Sequence, residues 1–214
     1  MTILEELIQY SNDCLEDKYI NDYEDYISGE KHKWACQRFL NDVKKMKLNV
    51  LADPFPYYWN EDEAKKIVSW FTYLRHSKGV LAGRPIELNI WQKFFLCQIY
   101  GWRYKKNDYK RFNKSFVEVA RKNAKSQMEA GVTLYEMSTQ STRNEEIYEC
   151  YCAGVKRKQS KVIFEECINL LEKSPLKCKF KITKDRIVHR KTRSYLEPLN
   201  KEDGKKGDGT NPAY

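Results

Sequence analysis

Residues 115–138 read SFVEVARKNAKSQMEAGVTLYEMS, and a change of period inside them decides how the chain is expected to fold. Residues 115–120 (SFVEVA) are short, rich in Phe and Val and preceded by a basic turn, which predicts a buried strand. Residues 125–138 (KSQMEAGVTLYEMS) predict a helix, so RKNA forms the turn between them. Downstream, 147–153 (IYECYCA) predict a second strand and 162–172 (VIFEECINLLE) a second helix. Strand, helix, strand, helix implies a parallel sheet with right-handed crossovers. Between 178 and 199 the segments KFKI, RIVH and SYLEPL predict short strands, a hairpin or meander on that core.

At the junction Val119-Ala120-Arg121-Lys122-Asn123-Ala124-Lys125-Ser126, free amides at a helix start would point outward and the helix dipole would favour an anion. A lysine there can reach outer phosphates and the next hydroxyl can ligate Mg²⁺, the logic of a P-loop ending in Lys-Ser. The strict GxxxxGK[ST] pattern fails twice, because Val119 and Ala124 stand where it has glycine. An alanine forced into the left-handed region would cost roughly 1–2 kcal/mol, tolerable for folding but a burden on a phosphate cradle.

Toward the N-terminus helical spacing dominates. Residues 19–47 carry apolar positions at 34, 35, 39, 40, 43 and 46, and Asp53-Pro54-Phe55-Pro56 must end that helix. Asn60 is placed to cap another, with Glu61, Asp62 and Glu63 against the positive end of its dipole and Ala64, Ile67, Val68, Phe71 and Leu74 on its apolar face. Gly79, Gly83 and Pro85 mark a loop, after which 88–100 (LNIWQKFFLCQIY) predict helix again.

The composition, 41% hydrophobic and 32% charged with 9 Gly and 6 Pro in 214 residues, excludes collagen and low-complexity disorder. No stretch approaches 18 apolar residues, and MTILEELIQY lacks the basic start of a signal peptide, so an intracellular protein is expected. The net charge of +9 is uneven. Residues 1–63 hold 7 Lys and Arg against 14 Asp and Glu, and the remainder 32 against 16. Clusters at Lys105-Lys106, Lys110-Arg111, Lys156-Arg157-Lys158 and 186–193 could neutralise phosphates or simply be solvated. Seven cysteines without a CxxC pair, and three histidines at 32, 76 and 189, suggest buried thiols rather than a zinc or disulfide framework; Cys150 and Cys152 share one strand face.

Several segments together resemble the large terminase subunit of tailed double-stranded DNA bacteriophages. They are 34–40 (WACQRFL), 74–79 (LRHSKG), 83–88 (GRPIEL) running into 91–94 (WQKF), Gly101-Trp102, and 117–123 (VEVARKN) before Lys125-Ser126. Phe164-Glu165-Glu166, Ser174-Pro175, Glu197-Pro198-Leu199 and 208–212 (DGTNP) extend the likeness. It implies an α/β fold with a P-loop NTPase-like parallel-sheet core, an α-helical region over 1–110 carrying an adenine-side glutamine, and a partial P-loop core over 111–214. It also implies an ATP- and Mg²⁺-dependent motor that packages double-stranded DNA with a small terminase subunit and a portal, in the cytoplasm of a bacterial host. By position, Gln92 is similar to the adenine-recognition glutamine, with Trp91 and Phe94 shaping its surroundings. Lys125 looks like the phosphate-binding lysine, Ser126 the Mg²⁺ ligand and Arg121 the P-loop arginine; Lys122, Asn123, Ala124 and Gln127 complete the implied nucleotide site.

The family follows its Asp-Gly-Thr-Asn-Pro-like segment with an apolar strand ending in Asp-Glu, whereas this sequence ends at Tyr214. The expectation is therefore a truncated or split ATPase segment, without Walker B carboxylates or nuclease domain, that hydrolyses poorly without a partner chain. Asp203 and Asp208 read as part of a solvated turn rather than substitutes. Two other readings compete: a non-enzymatic module docking on protein or DNA with an inactive P-loop, and a sequence-independent nucleic-acid binder resting on charge and aromatics alone.

Overall fold

A computed structural model describes residues 1–18, 28–48, 54–154 and 157–200. The expected helical residues 19–27, the break at Asp53, most of the cluster at 156–158, the turn holding Asp203 and Asp208 and the segment 208–212 lie wholly or partly outside the described residues. The chain divides into two compact units, Met1–Val68 with Leu88–Ser115 and Ser69–Glu87 with Phe116–Tyr214.

In the first unit, α1 (Ile3–Leu15) begins at a capping box: Thr2 Oγ1 accepts from Glu5 N at 3.1 Å, and the Glu5 carboxylate accepts from Thr2 N at 2.7 Å. It packs on α2 (Glu30–Leu48). A short ribbon follows, β1 (Tyr57–Trp59) antiparallel to β2 (Trp102–Tyr104), with Trp59 opposite Trp102. Between its strands come α3 (Glu61–Phe71), which continues into the second unit, and α4 (Ile90–Gly101). Asn60 caps α3 as expected, its Oδ1 accepting from Glu63 N at 3.1 Å. The core is aromatic: Phe39 meets Phe94 edge-on with ring centroids 5.6 Å apart, and Trp59 meets Trp102 at 5.5 Å. Arg103 and Glu63 are both buried and paired at 3.0 Å, so neither charge enters the interior alone.

The second unit places α5 (Lys125–Tyr135) and α7 (Arg157–Glu172) against one another, with α7 also covering β3 (Glu149–Gly154) and β6 (Tyr195–Asn200). A short helix, α6 (Ser141–Asn144), precedes β3, and the hairpin of β4 (Phe180–Ile182) and β5 (Ile187–His189) precedes β6. The sheet order is β3-β6-β5-β4. Only β3 and β6 run parallel; β5 is antiparallel to both of its neighbours, because the turn closed by Thr183 N to Arg186 O at 2.8 Å sends the chain straight back. The sheet is thus mixed, where the strand and helix order predicted a parallel one.

Two local departures have identifiable causes. Residues 115–120 form no regular secondary structure and join no ladder among the described residues, and Phe116 is 82% exposed. A run of apolar side chains supplies a face, and a strand also requires a backbone partner. The helix from Lys125 widens into a π turn at Glu136–Gln140, where Ser138 Oγ bonds back to Leu134 O at 2.6 Å and Ser141 Oγ to Met137 O at 2.5 Å. On its far face α5 is seated closely: Trp70 Nε1 donates to Gly131 O at 3.0 Å, and a Cβ at Gly131 would stand 2.3 Å from Phe71 Cε1.

Candidate nucleotide-binding site

Residues 121–124 join the segment 115–120 to α5. Lys122 has φ 70° and Ala124 φ 55°, ψ 20°, so two non-glycine residues in the left-handed region bracket Asn123. Asn123 Nδ2 donates to Ala120 O at 3.0 Å and braces the turn from within. Ala124 stands at the N-cap of α5 and has no oxygen to offer, so no side chain at that position satisfies the first-turn amides. Arg121 through Lys125 are all exposed, and among the described residues Arg121, Lys122 and Lys125 have no carboxylate partner. Three cations beside an uncapped helix start raise the local potential for an anion.

Ser126, half-buried, follows Lys125 in the first turn of α5. Gln127 Nε2 lies 3.4 Å from His76 Nδ1, which ties that turn to the segment 69–87 of the same unit. That segment is itself folded by Gly79 and Gly83, at φ 77° and 84°, with His76 N bonded to Arg84 O at 3.0 Å.

Gln92 belongs to the first unit, in the first turn of α4. It is buried, and its Oε1 accepts from Asn89 N at 3.0 Å. The amide oxygen is thus engaged in starting its own helix, and reading a base with both amide atoms requires that bond to be shared or released. Phe94 lies in the helical core, its ring 5.4 Å from Tyr10 and 5.6 Å from Phe39. Cys150 and Cys152 lie on β3 as expected, and burial pushes the Cys152 thiol up to about 12.

Two features escaped the sequence. A hydroxyl network joins the π turn to the sheet: Thr192 Oγ1 lies 3.1 Å from Ser141 Oγ, 2.9 Å from Ser194 Oγ and 2.9 Å from His189 Nδ1. A cavity of about 490 Å³ opens beside it, lined in part by Trp70, Thr142, Lys179 and Arg190 and by none of Arg121–Gln127. No local pattern marks either, since both arise where distant segments meet.

The family profile described as terminase large subunit, ATPase domain, matches residues 90–214, more than half of the chain. The chain belongs to that family. Its fold is similar to the crystal structure of the HK97 bacteriophage large terminase, with a TM-score of 0.52 at 16% identity over 71% of this chain. At that identity the likeness is one of fold, an α/β arrangement of the P-loop NTPase type, and the match spans 29% of the HK97 protein. No curated protein matches the sequence. Among the described residues no helix is long and apolar enough to cross a membrane.

Proposed function

We propose that this chain is the nucleotide-binding ATPase segment of a viral DNA-packaging motor and holds ATP at the turn before α5. The observation that carries the reading is the left-handed Ala124 directly before an uncapped helix start, flanked by exposed Arg121, Lys122 and Lys125. In this assignment the first-turn amides of α5 and Lys125 bind the phosphates, while Arg121 opposes charge on the outer one. Lys122, Asn123, Ala124 and Gln127 form the walls of the turn. The hydroxyl of Ser126 suits the oxygen-ligand preference of Mg²⁺, which when bound would neutralise phosphate charge. By family, double-stranded DNA is the transported substrate, and the small terminase subunit and portal are the partners, in the bacterial cytoplasm.

A second reading, a docking module with an empty P-loop, is favoured by two observations: the cap bond holding the Gln92 oxygen and the Cβ carried by Ala124. Titrating Mg-ATP into the parent chain and a Lys125→Ala variant separates the two. The motor reading predicts Mg²⁺-dependent binding that weakens about 10- to 100-fold in the variant, the usual worth of a charge-assisted contact. Equal affinities, or no binding by either chain, would sink it.

A further inference from the structure

The first unit brings together three side chains that no local motif connects. Cys14 comes from the last turn of α1, and His32 and Cys36 stand four residues apart on α2. One imidazole nitrogen and the two sulfurs all lie within 4.8 Å of one another. Both cysteines are fully buried and His32 is half-buried. Ligands of a tetrahedral zinc ion, at about 2.0–2.3 Å from the metal, stand roughly 3.5–3.8 Å apart, so the trio is within about 1 Å of closing on an ion.

We propose that Cys14, His32 and Cys36 are a zinc-binding site that clamps α1 to α2. Two thiols and an imidazole form a soft donor set that selects zinc over Mg²⁺ or Ca²⁺. Binding releases the two thiol protons, and the resulting dithiolate-zinc unit is neutral, which removes the penalty of placing an isolated charge among buried side chains. The partly exposed side of His32 leaves the fourth position to a solvent-derived ligand.

The surroundings are those of a supported site. Tyr10 Oη lies 2.9 Å from His32 Nε2 and orients the ring, which also stacks edge-on with Phe94 at 5.5 Å. Ser28 Oγ is buried and has no hydrogen-bond partner among the described residues. In this sequence the spacing, Cys-x17-His-x3-Cys, lacks the close cysteine pair by which such frameworks are recognised, and the packing of α1 on α2 supplies the proximity instead.

The experiment titrates Co²⁺ into the full reduced chain, isolated without metal-affinity resin, and follows the thiolate-to-cobalt charge-transfer band, with metal content measured by mass spectrometry. The expected result is one ion per chain, visible bands of tetrahedral cobalt, displacement by Zn²⁺ and a melting temperature that drops on chelation. Cys14→Ser and Cys36→Ser should each abolish the band, whereas Cys97→Ser, a buried thiol elsewhere in the same unit, should keep it. A parent chain with no charge-transfer band would overturn the proposal, and needs no variant to fold. So would a band that survives Cys14→Ser combined with Cys36→Ser, or an intact mass showing Cys14 and Cys36 joined as a disulfide.

Discussion

Replacing Ala124 with glycine should leave the protein as stable or make it more so, although glycine at a helix boundary normally loosens a chain. Ala124 is exposed, sits at φ 55° and ψ 20°, and makes no side-chain hydrogen bond, so its methyl group contributes strain and little packing. Relief of a left-handed L-residue is worth about 1–2 kcal/mol. The added freedom of glycine in the unfolded chain takes back about 0.4–1 kcal/mol. The net gain is therefore about 0–1.5 kcal/mol, and for a chain of this length each kcal/mol moves the melting temperature by about 2–4 °C. Ala124→Val places a β-branched residue in the same conformation and should cost more than about 1 kcal/mol. Urea titrations of the three chains measure both differences. A glycine variant less stable than its parent by more than about 0.5 kcal/mol, or a valine variant equal to it, would refute the left-handed turn, because neither result is compatible with strain at that residue.

Two further predictions concern the frame around that turn. Gly131→Ala drives a Cβ to within 2.3 Å and 2.6 Å of Phe71 ring atoms and should destabilise by about 1–3 kcal/mol, with a coupling above about 0.5 kcal/mol when combined with Phe71→Leu; additive costs would show that the ring does not rest there. His189 is held below its ordinary value of 6.5 by burial first and then by Lys179 and Lys191. The unfolded chain therefore takes up this proton first as pH falls, so the contribution is complete above 6.5 and declines below it. Unfolding measured between about pH 5 and 7 should lose part of its slope in His189→Gln, and an unchanged slope would assign the pH dependence elsewhere.

Where a residue's role was set by its own chain neighbours, the sequence was a sufficient guide. The cap at Asn60, the helix starting at Lys125, the glycine loop at 79 and 83 and the segments that became β4, β5 and β6 each depend on short-range spacing or backbone freedom. Ala124 is the sharpest instance: it stands where the phosphate-loop pattern has glycine, the residue that tolerates the left-handed region, and its φ is 55°. Features that need a partner from elsewhere were hidden. Residues 57–59 and 102–104 are too short to signal strands and become so only by facing each other, while 115–120 have the composition of a strand and no ladder among the described residues. Gln92 could be named from the resemblance, but nothing in its spacing announced that Asn89 N holds its side-chain oxygen. The proximity of Cys14 to His32 and Cys36 likewise belongs to the packing of two helices.

A backbone amide spectrum of the isotopically labelled chain, recorded as a non-hydrolysable Mg-ATP analogue is added, puts the phosphate turn to the test. Amides of residues 122–127 should move together and saturate with one binding constant, and in Lys125→Ala they should move only at far higher ligand concentration. Shifts confined to other residues, or none in that turn at saturation, would contradict a triphosphate bound at the start of α5.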